Sequence, residues 1–309
     1  MPKHLPYQFL TMFTVFVVGL CVFHVLERFA PIIPTGKTGP RRRGYFADLT
    51  ASLVDGPFLG SLTKLIAACA IIVMPWHYEY MATWPWGLQF AVFFLVNDFG
   101  RYWMHRWHHE SNFLWRFHRV HHTVVDMDAM SAFRVHVGEG LIKYGLLILP
   151  FHILGINPWV IVTYSSIDIT KAIWHHANLR TYIGPLNRIF NSAELHWWHH
   201  SMEGPGQHSN YGSILSIWDR LFGTFYWPKG QWPERVGVAG MDAFPDDYLG
   251  QFASMVHSDE EMARRCNPSE SMVDQAAPIA AREATERRTV ECASKSPQMD
   301  SMVATPEMN

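Results

Sequence analysis

Charge is scarce in this chain, and so is cysteine. Asp, Glu, Lys and Arg make up only 17% of the residues and balance to a net −2. No basic excess exists to neutralise a phosphate backbone, so nucleic acid is excluded as a partner. The four cysteines, Cys21, Cys69, Cys266 and Cys292, have no paired or clustered spacing. Neither a disulfide framework nor a zinc-thiolate site is suggested. The chain also has no C-x-x-C-H for haem, no ferredoxin cysteine set and no G-x-G-x-x-G nucleotide turn. Any redox chemistry must therefore draw its electrons from another protein.

What the chain has in quantity is apolar surface and histidine. Hydrophobic residues reach 49% and aromatics 14%, with thirteen Trp and twenty Phe. The run from Tyr7 to Phe29 carries charge only at its end, at Glu27 and Arg28. It is long enough to cross a hydrocarbon core of about 30 Å, and no cleavage site of a signal peptide follows it. Lys37, Arg41, Arg42 and Arg43 come next, among glycines and prolines. The positive-inside rule puts this loop in the cytoplasm. Asp48 to Pro75 and Trp86 to Trp103 are the second and third apolar stretches, and Leu141 to Trp174 is the fourth. The fourth is broken by Gly155-Ile156-Asn157-Pro158, a turn signal, which predicts a hairpin of two short arms.

Fourteen of the eighteen histidines fall between His105 and His208. They gather as His105-x3-His109, His118-x2-His121-His122 and His196-x2-His199-His200. Residues three and four apart share a helix face, so each cluster aims imidazoles inward. Neutral imidazole is the commonest protein ligand for a transition metal. Eight such groups exceed the needs of one four-coordinate ion, so two ions with about four histidines each is the simpler count. Spacing alone does not identify the metal. The clusters flank the fourth apolar stretch and must meet, so an even number of crossings separates them; a hairpin meets this condition. Asp98 stands two helical turns before His105, where a carboxylate can accept the second N–H of a bound imidazole.

These residues resemble the fatty acid hydroxylase / sterol desaturase superfamily of integral membrane di-iron enzymes. The likeness runs from about Phe90 to Pro228. It rests on Asp98, Tyr102-Trp103-Met104-His105-Arg106, Leu114 to His122, Phe133-Arg134-Val135-His136 with Glu139, His176-Ala177-Asn178, Glu194 to His200, Asn210-Tyr211-Gly212 and Trp218 to Thr224. The resemblance implies an all-α membrane bundle of about four helices, including the hairpin, with a cytoplasmic histidine-lined di-metal cap. It implies two iron ions, O2 as co-substrate, and hydroxylation or desaturation of a sterol, fatty acyl chain or related lipid. An electron-transfer protein of the ferredoxin, cytochrome b5 or reductase type would be the partner. The implied ligands are His105, His109, His118, His121, His122, His196, His199 and His200, with His176 as a ninth. Some relatives carry a further histidine at a position that here is Ala172, so His136 or His175 is the candidate to fill in. Asp98 and Asn178 complete the catalytic set. His108, His152 and His208 are assigned structural roles.

The domain reading is membrane helices over 1–84, a catalytic domain over 85–230 with its hairpin at 141–174, a cap extension over 231–258 and a disordered tail over 259–309. Two other function classes fit a histidine-rich membrane chain: a metal-binding or transport protein, and a lipid-binding relative without turnover. Transport calls for ionisable residues along the spans, and Tyr7 to Phe29 has none in its middle. Loss of turnover predicts a missing ligand, and all eight motif histidines are present.

Overall fold

The computed structural model describes residues 5–33, 38–55, 62, 66 and 80–266. Among these the regular structure is helical, with no strand; β-pairing is confined to two isolated bridges, Phe190 to Leu215 and Ser201 to Val236. Helix α1, Leu5–Leu26, contains a 20-residue stretch of mean hydropathy 2.4, long and apolar enough to cross a membrane. It is the one helix among the described residues that meets this test. Its outer face leaves Phe9, Leu10, Phe13 and Val18 exposed. On the inner face Leu20 and Phe23 pack against Ile173, Ala177 and Leu179. Gly19 permits this approach, since a Cβ there would stand 3.0 Å from Ile173 Cδ1.

Residues 45–55 form helix α2. The second apolar stretch of the sequence lies mostly outside the described residues. Helix α3, Trp86–Glu110, is long enough to span but carries Asn97, Asp98 and Arg101 midway. It ends at Ser111, whose N–H donates to the Trp107 carbonyl while its hydroxyl accepts from Leu114 N–H. One residue thus closes α3 and caps α4, Asn112–His122, in the manner Ser favours at an N-terminus. That reversal folds the second histidine cluster back onto the first.

A continuous helix follows: α5 (Val137–Lys143), one π-helical turn (Tyr144–Ile148) and α6 (Leu149–Ile153). The chain reverses at Gly155, which adopts φ 76°, and α7 runs from Pro158 to His176 with Asn157 as its cap. The hairpin turn thus falls on the Gly-Ile-Asn-Pro break. Phe93 of α3, Phe151 of α6 and Val160 and Tyr164 of α7 form one apolar core cluster. Beyond α7 come α8 (Ala193–His199), α9 (Ile217–Leu221) and α10 (Tyr248–Ala253).

The segment expected to begin a disordered tail instead starts with helix α11, Asp259–Cys266. Met262 and Cys266 insert beside Val120, Met241 and Phe244, and that apolar contact offsets the entropy of ordering the turn. Residues 267–309, the rest of the expected tail, lie outside the described residues.

Candidate metal centre

Four helices deliver nine histidines to two groups. The first holds His105 and His109 from α3, His118 and His122 from α4, and His199 from α8. The second holds His121 from α4, His176 from α7, and His196 with His200 from α8 and its C-cap. Within each group the ligand atoms lie within 4.8 Å of one another. Each H-x2-H-H triplet is shared rather than aimed at one point. Helix geometry explains the split, because i+4 falls about 40° to one side of i and i+3 about 60° to the other. On α4 the i, i+4 pair serves the first group and His121 the second; on α8 the pair serves the second and His199 the first. The His122 and His200 rings stack 4.3 Å apart where the groups meet.

Second partners fix the ring orientations. His105 Nδ1 donates to the Tyr211 carbonyl at 2.9 Å and His199 Nδ1 to that of Ser209 at 2.6 Å. His121 donates to Arg134 O at 3.1 Å, and His176 to Ala172 O at 2.9 Å. His118 Nδ1 meets the Glu139 carboxylate at 2.9 Å. With the proton on Nδ1, the Nε2 atoms of His105, His121, His176 and His199 are bare lone pairs. Yet His105 and His118 bring their Nε2 atoms to 3.0 Å, and His121 and His176 to 3.2 Å. His176 and His196, and His196 and His200, also approach Nε2 to Nε2, at 3.2 and 3.1 Å.

Facing lone pairs repel unless a cation lies between them. Metal–imidazole bonds of about 2.0–2.1 Å set adjacent nitrogens about 3.0–3.4 Å apart, which is the spacing found. His109 Nε2 and His199 Nε2 are buried with no hydrogen-bond partner in the first group. The donor set therefore fits a divalent transition metal in each group. Burial first, and neighbouring histidines second, hold His105, His109, His121, His122, His196, His199 and His200 well below the ordinary imidazole range. His176 is pushed down to about 3, again by burial. All these rings are neutral at pH 7, the form that binds metal.

A family model described as fatty acid hydroxylase matches residues 90–224. The ornithine lipid hydroxylase OlsE of Rhizobium tropici is 30% identical over 246 residues, covering 77% of this chain and 74% of that protein. This chain belongs to the fatty acid hydroxylase family. The alkylglycerol monooxygenase of Danio rerio is 35% identical over 152 residues, which is 49% of this chain and 32% of that protein. The very-long-chain aldehyde decarbonylase GL1-9 of Oryza sativa subsp. japonica is 28% identical over 181 residues, 56% and 69% of the two chains. No solved structure matches. As a member of the fatty acid hydroxylase family, the chain is an oxidoreductase.

Three residues of the expected set stand elsewhere. Asp98 touches no imidazole. Its carboxylate accepts Ile214 N–H, Leu215 N–H and Trp218 Nε1–H at 2.7, 3.1 and 2.8 Å. The intervening turns of α3 face the 214–218 loop, so Asp98 acts on that loop. Asn178 clamps the segment after α1: its Oδ1 accepts Ile32 and Ile33 N–H, and its Nδ2 donates to Ile33 O. His136 caps α5 by accepting Gly138 N–H and donates through Nε2 to Phe252 O. Both its nitrogens are committed, so it is not brought to either group. His175 likewise donates Nε2 to Asn191 O. His108, His152 and His208 also fall outside both groups.

The residues that sequence reasoning gave no role are those holding the loop. Asn210, at φ 54°, is the one non-glycine residue with positive φ among those described. Its side chain donates to Leu195 O and Tyr226 O and accepts Tyr226 N–H. The Asp219 carboxylate accepts from Tyr211 N–H, Gly212 N–H and Thr224 hydroxyl. Gly212 is required there, because a Cβ would lie 2.6 Å from Asp219 Oδ2 and 2.5 Å from Leu215 O. The kink at Asn210 turns two flanking carbonyls, Ser209 and Tyr211, onto two histidines of the first group. Its only sequence signal is an Asn before Tyr-Gly, since Asn tolerates the left-handed region.

Proposed function

We propose that this chain is a membrane-bound di-iron oxygenase that hydroxylates a lipid, with O2 as co-substrate and a separate ferredoxin, cytochrome b5 or reductase as electron donor. The observation that carries the reading is the pair of buried histidine groups with converging bare Nε2 atoms. His105, His109, His118, His122 and His199 would hold one iron, and His121, His176, His196 and His200 the other. Bound iron would pass electrons to O2 and so supply the oxidising strength that an unactivated C–H bond requires. The chain's part is to fix nine rings and exclude bulk water by burial. Glu139 holds the Nδ1 proton of His118. The relatives' names, an ornithine lipid hydroxylase and an alkylglycerol monooxygenase, support hydroxylation of a polar-headed lipid over desaturation. The exposed apolar helix α1 supports a membrane setting, and Arg41, Arg42 and Arg43 support a cytoplasmic site.

Elemental analysis of detergent-purified protein, with Mössbauer spectroscopy of an iron-57 sample, tests the reading. About two irons per chain with a coupled signal is expected from the nine-imidazole donor set. Lipid extracts of cells with and without the gene then identify the substrate. One zinc and no redox metal would overturn the oxygenase reading in favour of a binding role.

A further inference from the structure

A second cluster of ionisable side chains stands on three helices, α3, α5 and α7. Arg101 stands one turn before His105 on α3, Lys143 one turn after Glu139 on α5, and Lys171 one turn before His175 on α7. Arg101 grips Asp168 with two bonds, at 2.7 and 2.6 Å. Lys171 reaches the same carboxylate at 3.2 Å and donates to Ser213 Oγ at 3.0 Å. Arg101 donates to that hydroxyl as well, at 3.1 Å. Side chains of Arg101, Asp168 and Lys171 are only 13%, 16% and 15% exposed.

Lys143 lies within electrostatic reach of Arg101, Asp168, Glu139 and Lys171, yet makes no ion pair within 4 Å among the described residues. The other carboxylates nearby are committed: Glu139 to His118, and Asp98 to three N–H donors of the loop. Arg101 and Lys171 thus share the one carboxylate they are paired with, and the Lys143 ammonium has none. Removing an ammonium from water without a counter-ion is costly, so the cluster calls for a further anion.

We propose that Arg101, Lys143 and Lys171 form an anion-binding site that takes the carboxylate or phosphate of a membrane lipid. This rests on the lipid-oxygenase reading, and deepens it: an anionic headgroup fixed here sets how far the chain behind it lies from the histidine groups. Arg101 offers a planar fork and the two lysines compact point charges, a set suited to a small oxyanion.

Binding to the metal-loaded full chain in neutral detergent is the test, with oleate against oleyl alcohol, and phosphatidic acid against diacylglycerol. Each anionic probe should bind at least about tenfold more tightly than its neutral counterpart, as a charge-assisted hydrogen bond supplies. Lys143→Met should erase that preference while metal content and neutral-lipid binding stay unchanged, and Lys143→Arg should retain it. Equal affinity for anionic and neutral probes, or an undiminished preference in Lys143→Met, would overturn the proposal. Inorganic phosphate binding as tightly as phosphatidic acid would reassign the site to a soluble anion. Turnover is not part of this readout. A charge-blind enzyme that still oxidises lipid refutes the anion site alone, and charge-selective binding without redox metal refutes the oxygenase reading alone.

Discussion

At the scale of single residues, the centre depends on side chains that never reach a metal. Asn210 occupies a backbone conformation that costs an L-residue about 1–2 kcal/mol, and three side-chain bonds to Leu195 and Tyr226 hold it there. Asn210→Ala keeps the strain and loses the bonds. Ser209 O and Tyr211 O should then swing away from His199 and His105, which both belong to the five-histidine group. Metal content should fall from about two per chain to about one, a loss of the size expected for outer partners of ligating imidazoles. Unchanged stoichiometry, measured by elemental analysis, would show that the loop is not what orients those rings. Asp219→Asn should act the same way, because it weakens the acceptor for Tyr211 N–H and Gly212 N–H.

Elements show which parts of this arrangement were legible in the chain. The histidine clusters were, since their three- and four-residue spacing is the helical repeat itself. The hairpin turn was too, because glycine and proline mark a break whatever surrounds it. Asp98 was misread: its partners lie 116 to 120 positions further along the chain, and spacing carries information only along one element. Helix α11 was missed because only Met262 and Cys266 are buried in a polar octapeptide, too thin an apolar stripe to register as a period. Its attachment is Arg119, fully buried on α4 between the metal histidines. Arg119 donates to Ser254 O at 2.5 Å and His257 O at 2.7 Å, and pairs with Asp259. Arg119→Met should free the segment from α10 to α11. Ser254 O keeps its bond from His257 N–H, while His257 O left without its donor costs about 1–3 kcal/mol, which corresponds to a Tm lower by roughly 2–12 °C. Limited proteolysis should cut first between residues 254 and 266; cleavage elsewhere, with Tm unmoved, would rule out the anchoring role.

For the whole molecule, the buried rings tie stability to pH. His105, His109, His121, His122, His176, His196, His199 and His200 are held neutral in the fold, each with a pKa below the value near 6.5 that it regains when unfolded. As pH falls below about 6.5 the unfolded chain takes up protons that the folded chain refuses, so stability drops on the acid side and is flat above it. Every such group contributes about 1.4 kcal/mol per pH unit in that window. Bound metal sharpens the trend, since protons and metal compete for the same nitrogens. Metal-stripped protein in detergent should therefore keep its Tm from pH 8 to 7 and lose it steeply from pH 6.5 to 5; a level profile would contradict neutral burial of the cage. Four of the nine rings, His105, His121, His176 and His199, give their outer proton to main-chain oxygen. The tautomer at those positions is written into the path of the chain and not into its alphabet. Exchanging Ala172, Ser209 or Tyr211 for another residue leaves the acceptor in place, so the centre can drift in sequence around its ligands while each imidazole keeps presenting the same nitrogen.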